Sequence, residues 1–282
     1  NKRSLTLNLK RAEGIAILKQ LVEASDVYIT NQPLPMRRAL GLNYEDIRAI
    51  NPAIIYASLT AYGEKGPDRD GEGFDLVAYW ARSGLMDLVR DADAKPAMAL
   101  PGMGDHPTAV SLYASIVTAL LHRERTGEGS MVHTSLLGNG LWSAACIAQA
   151  GFAGGDYERY RAFKAEAGFG RFLYECQDGR FVQLTMIRTQ EEFEQFLAVT
   201  QLTSVVTDPR FLTPELRIAH GAELVELVAA RLKDESAGVW MKKCEAAGVP
   251  MNRVQTIEET LTDPQVRVNE MVRPAPDDMA GM

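Results

Sequence analysis

The chain has 282 residues, of which 46% are hydrophobic and 24% charged, and its formal net charge is −7. This composition is typical of a soluble globular protein with one large or two modest domains, and the acidic balance with scattered Lys and Arg excludes nucleic acid as the main partner. Three widely separated Cys and four His without paired-ligand spacing predict neither a disulfide framework nor a metal site. No apolar run has the length of a membrane span, and no signal peptide is recognisable, so we expect a cytoplasmic protein without membrane partners.

The first part of the chain alternates between strand and helix patterns. Strands are predicted where apolar residues alternate or form short runs, and helices where they recur every three to four residues. In chain order the predicted elements are a strand at 4–9, a helix at 12–24, a strand at 26–31, a Pro-bounded loop at 32–35, a helix at 44–50 and a strand at 53–59. This order predicts an α/β fold, a Rossmann-like domain whose mostly parallel sheet is covered by helices.

The same topology predicts where a ligand binds. In open α/β sheets ligands lie beyond the carboxyl ends of the strands. That rule places Asn31, Gln32 and the Thr-Ala-Tyr-Gly segment at 60–63 at the edge of a site. Further along, the sequence predicts a helix at 74–83 ended by Gly84, a strand at 131–136 and a mostly apolar helix at 141–150.

A glycine-rich stretch from Gly102 to Ala109 leads into a long apolar helix predicted at 110–121. Asp105 lies at the entrance to this helix, where unpaired backbone N–H groups and the positive end of the helix dipole stabilise an anion. The flanking glycines allow a backbone or a ligand to approach closely. An N-cap is the commoner use of such an Asp, so spacing alone leaves a cap and a reactive carboxylate both open.

The pattern changes after Gly151. A charged connection is predicted at 157–166, followed by strands at 172–176 and 181–185 that flank the hairpin signal Asp178-Gly179. Helices are predicted at 191–199, 222–233 and 237–246, and the tail that begins at Arg273 is predicted to be a loop. We therefore predict a large Rossmann-like domain at 1–168 and a small α+β domain at 169–265.

Stretches spread over nearly the whole chain resemble, in order, the class III CoA-transferase family, which includes formyl-CoA transferases, carnitine CoA-transferases and alpha-methylacyl-CoA racemases. The most recognisable is Arg-Glu-Arg-Thr-Gly-Glu-Gly at 123–129, followed by Ser135-Leu136. The others lie at 2–10, 39–45, 51–58, 63–67, 73–75, 83–86, 104–105, 178–180, 208–211, 247–250 and 263–266. Each stretch is a weak signal, but their common order is a strong one.

The resemblance implies an acyl-CoA:carboxylate CoA-transferase in which Asp105 is the catalytic nucleophile. Its carboxylate would attack an acyl-CoA thioester and pass through an aspartyl-CoA thioester, with coenzyme A and acyl-CoA as substrates and no metal or redox cofactor. Backbone N–H groups near Gly102 to Gly104 are expected to stabilise the oxyanions. A CoA-binding role is expected for Asn31, Gln32, Arg37, Arg38, Tyr62, Gly63, Lys65 and Gly104. For Arg37 and Arg38, a phosphate contact and a solvated loop charge are about equally expected.

Two other readings remain open. Racemases of this superfamily use a His in a Gly-His-Asp triplet, but here the triplet is Gly73-Phe74-Asp75, and phenylalanine is neither an acid nor a base. His106 beside Asp105 is the alternative base, although adjacent residues at a helix start point in different directions. The altered loop after Asn31, which lacks the family's usual Asn-Phe-Arg-Pro-Gly, also suggests a non-catalytic CoA-binding relative.

The resemblance also implies an assembly. Members of the family form interlocked homodimers, so a homodimer is expected. They also have a strand–helix unit before the stretch at 2–10 and a segment after the small domain that returns to the large domain. The resemblance implies that residues 266–282 are the start of this returning segment. The expectation is therefore that this chain covers the middle two-thirds of a member.

Overall fold

The computed structural model describes residues 3–90, 94–165, 168–184, 187 and 189–272. The chain divides into two compact units between Arg161 and Ala162. Each unit is described by itself below. The tail predicted from Arg273 onward and the last part of the predicted return segment lie outside the described residues.

Three parallel strands form the sheet of the first unit, β1 (Val27–Thr30), β2 (Ile55–Thr60) and β3 (Ser130–Ser135), in the order β1-β2-β3. Thr30 pairs with Ser58, and Thr60 with Ser135, so all three strands end at the same edge. The central strand is buried along most of its length. An apolar run with β-branched residues and buried faces is the pattern that a central parallel strand requires. The parallel Rossmann-like sheet predicted from the sequence is confirmed.

The helices of the first unit are α1 (Ala12–Glu23), α2 (Leu34–Leu40), α3 (Tyr44–Ile50), α4 (Leu85–Val89), α5 (Asp105–Thr126), α6 (Leu136–Ser143) and α7 (Ala145–Phe152), with a π-helical segment at Leu76–Ala81. The division between the units falls within the next helix, α8 (Tyr157–Ala165). One apolar cluster packs α1 and α3 against β2 through Val22, Ile47 and Tyr56. A second packs the π-helical segment against α6 through Tyr79 and Leu136.

Four sequence predictions in this unit are wrong in part. The stretch at 4–9 is extended without a paired strand among the described residues, and Leu5 is exposed, so its alternation has no sheet neighbour to bury against. The predicted loop at 32–35 runs into α2, because Pro35 lies in the first helical turn, where a missing N–H costs nothing. The predicted helix at 141–150 is two helices that break at Ala144. The predicted connection at 157–166 contains α8.

Three antiparallel strands form the sheet of the second unit, β4 (Leu173–Glu175), β5 (Phe181–Leu184) and β6 (Met251–Arg253), in that order. The hairpin predicted around Asp178-Gly179 is confirmed, and Gly179 has the positive φ of 71° that such a turn needs. The helices of this unit are α9 (Gln190–Thr200), α10 (Pro214–Ala219), α11 (Gly221–Leu232), α12 (Ala237–Ala246), α13 (Ile257–Thr262) and α14 (Pro264–Val268). Their core is centred on Phe196, Leu224 and Trp240, all fully buried.

Within the described residues, no helix is both long enough and apolar enough to cross a membrane.

Candidate active site

A cavity of about 620 Å³ lies at the carboxyl ends of the parallel strands. Its polar lining comes from the segments that follow β1 and β2, from the last residue of β2 and from the start of α5. It consists of Asn31, Gln32, Thr60, Arg69, Glu72 and Asp105. Leu59, Phe74, Ala109 and Leu136 are among its apolar lining residues. The cavity therefore lies at the edge of the sheet where the strand-end rule predicts a ligand site.

Asp105 is the first residue of α5, a helix of 22 residues. Its side chain is exposed, and among the described residues its carboxylate accepts no hydrogen bond. The N-cap position belongs to Gly104, which has no side chain to cap with, so the interpretation of Asp105 as only an N-cap is wrong. The carboxylate remains next to the positive end of the helix dipole, where its anion is stabilised without being tied to a partner.

Gly104 is buried against the aromatic ring of Tyr79, and a Cβ at this position would collide with that ring. Its N–H donates to Oδ2 of Asp75 at 3.0 Å, and its carbonyl accepts from Oγ1 of Thr108 at 2.7 Å. The residue immediately before Asp105 is therefore held on its N–H, on its carbonyl and on its Cα face. Only glycine fits this position.

The predicted use of backbone N–H groups as oxyanion donors is not supported at two of the three positions. The Gly104 N–H is engaged by the Asp75 carboxylate, and the Met103 N–H donates to the Leu100 carbonyl at 3.3 Å. Neither group is free to receive a developing negative charge in this arrangement.

The two residues predicted after β1 lie in the same cavity as Asp105. Asn31 is exposed and lines the cavity. Gln32 is half-buried, its N–H donates to Oγ1 of Thr30 at 3.2 Å, and its Oε1 is buried without a hydrogen-bond partner among the described residues. These three predicted site residues are thus brought together by the strand ends.

Arg37 and Arg38 do not line this cavity in the described part of the chain. Arg37 is 1% exposed, and its guanidinium donates to Tyr56 Oη at 3.2 Å and to Glu64 Oε1 at 2.9 Å. The alternative of a solvated loop charge is therefore wrong for Arg37. Arg38 is exposed and forms an ion pair with Asp70. A CoA contact by either residue stays a prediction.

Tyr62, Gly63 and Lys65 likewise stay outside the described cavity lining. Tyr62 is half-buried beneath the guanidinium of Arg82, whose Cζ lies 4.6 Å from the ring centroid. Gly63 has a φ of 109°, and its N–H donates to Oγ1 of Thr60 at 2.9 Å, so it makes the turn at the end of β2. Lys65 is exposed. Their predicted role in CoA binding remains a prediction.

Two charged residues of the cavity lining, Arg69 and Glu72, were not predicted from the sequence as site residues. The carboxylate nearest to Arg69 in the described structure is that of Asp70, at 3.9 Å, and Asp70 also pairs with Arg38. Both missed residues lie just before the Gly73-Phe74-Asp75 motif. Their closeness in sequence to that motif is the feature from which their place at the site was predictable.

The positions of Phe74 and His106 bear on the racemase alternative. Phe74 is 83% exposed and lines the cavity, and it offers no acid or base there. His106 is exposed on α5 and is absent from the described cavity lining. No group of three or more His, Cys, Asp or Glu side chains in the described ranges is arranged to hold a metal ion.

The chain thus combines a parallel α/β unit, with Asp105 at its strand ends, and an antiparallel α+β unit. The sequence pattern of CoA-transferase family III matches residues 1–282, and the chain belongs to this family.

Curated relatives are themselves CoA-transferases. The chain is 28% identical over 272 residues to (R)-2-hydroxy-4-methylpentanoate CoA-transferase of Clostridioides difficile, covering 96% of this chain and 68% of that protein. It is 30% identical over 275 residues to succinyl-CoA:glutarate CoA-transferase of Mus musculus, covering 96% and 62%. With an acyl-CoA transferase of Fusarium pseudograminearum the identity is 32%, covering 99% and 61%. The chain thus spans less than two thirds of the length of the last two relatives.

Solved structures give the same fold. A CaiB/BaiF family protein from Brucella suis superposes with a TM-score of 0.83 at 26% identity, covering 95% of this chain and 70% of that one. A Mycobacterium tuberculosis protein superposes with a TM-score of 0.82 at 23% identity, covering 95% and 71%.

Proposed function

We propose that this chain carries the catalytic aspartate of an acyl-CoA:carboxylate CoA-transferase, with Asp105 as the nucleophile. The observation that carries the proposal is the place of Asp105: its exposed, unpartnered carboxylate shares a cavity at the strand ends with Asn31 and Gln32. Membership of CoA-transferase family III and the CoA-transferase activities of the relatives support it.

The first half-reaction moves CoA from the donor to Asp105. A carboxylate oxygen of Asp105 attacks the thioester carbonyl of the acyl-CoA, and the C–S bond breaks to give an acyl-aspartyl anhydride and CoA thiolate. The thiolate then attacks the aspartyl carbonyl of the anhydride, and the donor acid leaves as a carboxylate. Asp105 is left as an aspartyl-CoA thioester, which splits one difficult exchange into easier steps.

The second half-reaction is the reverse with another acid. The acceptor carboxylate attacks the aspartyl thioester carbonyl and releases CoA thiolate. The thiolate attacks the acceptor's carbonyl in the new anhydride, which yields the acceptor's CoA ester and regenerates the Asp105 carboxylate. The guanidinium of Arg69 in the same cavity suits an acceptor carboxylate, because arginine pairs with carboxylates through directed N–H donors.

Mass spectrometry after incubation with a panel of acyl-CoAs, including succinyl-CoA and 2-hydroxyacyl-CoAs, tests this proposal. Hydroxylamine converts an aspartyl thioester to a hydroxamate, and we expect that adduct on Asp105 in the wild type and none in Asp105→Asn. Glu72→Gln, which removes the second carboxylate of the described cavity lining, is the matched control and is expected to retain the adduct.

Two outcomes would contradict the proposal. One is an adduct that maps to Glu72 or survives Asp105→Asn. The other is exchange of the substrate α-proton with deuterated solvent in the absence of any adduct, which is the behaviour of a racemase.

A further inference from the structure

Asp75 is a buried carboxylate that the proposed chemistry does not use. It is 4% exposed and forms no ion pair with a Lys, Arg or His of the described chain. A buried carboxylate is costly unless hydrogen bonds compensate for its lost hydration. Its hydrogen bond in the described structure is the one it accepts from the Gly104 N–H, at 3.0 Å.

The partner of Asp75 is the peptide group next to the nucleophile. Asp75 directly precedes the π-helical segment Leu76–Ala81, and Tyr79 of that segment packs on the Cα of Gly104. π-Helical segments are rare and occur frequently at functional sites. At its other side the segment is packed against α6, where a Cβ at Gly140 would collide with the Tyr79 carbonyl. Tyr79 therefore packs against α6 on one side and against Gly104, the residue before α5, on the other.

We propose that Asp75 is a positioning residue: its carboxylate fixes the Gly104 peptide and, through it, the direction of the Asp105 side chain. This inference rests on the proposed function of Asp105. The attacking oxygen must meet the thioester carbonyl at a defined distance and angle, and a displacement of about 1 Å costs about 10²-fold in rate.

The test compares Asp75→Ala with Asp75→Asn. The asparagine amide oxygen accepts the same N–H without a charge, whereas alanine accepts nothing. We expect Asp75→Ala to slow formation of the Asp105 adduct about 10²-fold without changing the KM for the acyl-CoA. Asp75→Asn is expected to recover most of the rate. Ser83→Ala is the control, because Ser83 is buried and bonds the Tyr79 carbonyl without contacting Gly104.

Amide hydrogen exchange of the peptide that covers Gly104 provides a second readout that needs no turnover. We expect faster exchange in Asp75→Ala and wild-type exchange in Asp75→Asn and Ser83→Ala. If Asp75→Ala does not fold, Asp75→Ser removes the long acceptor with a smaller loss of polarity and carries the same expectation.

The outcomes separate this inference from the proposed function. Wild-type rate and wild-type exchange in Asp75→Ala would overturn the positioning role. So would an Asp75→Asn variant that is as slow as alanine while the Gly104 amide stays protected, because the carboxylate would then act through its charge or its proton. A wild-type protein that forms no adduct would defeat the proposed function, and the exchange measurement alone would then decide whether Asp75 holds Gly104.

Discussion

Arg37 places a buried cation where α2 meets the central strand. Its guanidinium bonds Tyr56 on β2 and Glu64 in the loop after β2, and Glu64 also accepts from Ser58. Tyr56 in turn donates to the Leu42 carbonyl at 2.9 Å. Burial opposes the charge of Arg37, but the hydrogen bonds with Tyr56 and Glu64 outweigh it, so the pKa of the guanidinium is raised. The network fixes α2 and the loop beside the cavity.

Replacing Arg37 is therefore expected to destabilise the first unit strongly. Arg37→Met leaves the carboxylate of Glu64, whose side chain is 12% exposed, without its cation, and the loss of one partner of a buried pair costs about 3–5 kcal/mol. Urea unfolding measures this loss, and the double variant with Glu64→Gln is expected to recover part of it.

Arg38→Ala is the matched control for this measurement, because Arg38 is on the same helix but pairs at the surface. Its cost is expected to stay within about 0.5 kcal/mol. An Arg37→Met variant that unfolds at the same urea concentration as Arg38→Ala would show that the buried network does not stabilise the fold.

At the scale of the element, α13 is attached to the antiparallel sheet by one carboxylate. Glu259 accepts two hydrogen bonds, of 2.6 and 2.9 Å, from Arg180, which lies in the turn before β5. It also forms an ion pair of 3.0 Å with Arg253 of β6. The same side chain completes a capping box with Thr256 at the start of α13. The Arg180 hydrogen bonds are the largest contribution, and together these contacts lower the pKa of Glu259 to about 2.

This pKa predicts how acid acts on the second unit. Because the folded-state pKa lies below the ordinary value of 4.5, the stabilisation from Glu259 is fully present above about pH 4.5 and is lost as the pH falls towards 2. We expect Glu259→Gln to be less stable than the wild type at pH 7 and equal to it near pH 2, as measured by the urea midpoint at each pH. Glu226→Gln, at an exposed position of α11, is the control and should show no such convergence. A difference between Glu259→Gln and the wild type that is constant across this pH range would contradict the assignment.

The elements that could be predicted are those whose signal is local. The helix limits predicted for α3 and α12 coincide with the observed ones, since Asn51-Pro52 and Gly248 end these patterns sharply. β6 was missed because its three residues carry no periodicity and form a strand only by pairing with β5. α13 was missed although its capping box, Thr256-Ile-Glu-Glu259, is readable from the sequence.

The candidate site also has features that were predictable from the sequence and features that were not. Topology alone predicts that Asn31 and Gln32 lie near the strand ends, whereas Asp105 is predicted as a site residue by the family resemblance. The cavity contains all three. The bond from Gly104 to Asp75 spans 29 positions and depends on a π-helical segment, for which the sequence offers no period to read. The burial of Arg37 depends on Tyr56 and Glu64, which become its neighbours only after β2 and its following loop have formed. Long-range polar contacts are therefore the part of the site that sequence patterns do not predict.

For the whole molecule, each of the described hydrophobic core clusters lies within one unit. The cluster around Phe196 and Trp240 draws on residues 169–251, and the clusters around Tyr56 and Tyr79 draw on residues 9–144. Units with separate cores unfold as separate cooperative systems, because each transition is driven by its own buried surface.

Two unfolding transitions are therefore expected, and core variants should move them one at a time. Phe196→Ala removes a fully buried ring that packs on Phe169, at a cost of about 3–5 kcal/mol confined to the transition of the second unit. Ile55→Ala, in the central parallel strand, is the matched variant and should shift only the other transition, by about 2–5 kcal/mol.

Tryptophan fluorescence reads the two units separately, because the chain has three Trp residues and Trp240 is the one in the second unit. A background with Trp80→Phe and Trp142→Phe reports on Trp240, and a background with Trp142→Phe and Trp240→Phe reports on Trp80 in the first unit. We expect Phe196→Ala to lower the urea midpoint seen by Trp240 and to leave that of Trp80 in place, with the reverse for Ile55→Ala. Equal shifts of both reporters in either variant would mean that the two cores unfold as one, and the division at Arg161 would then be geometric rather than energetic.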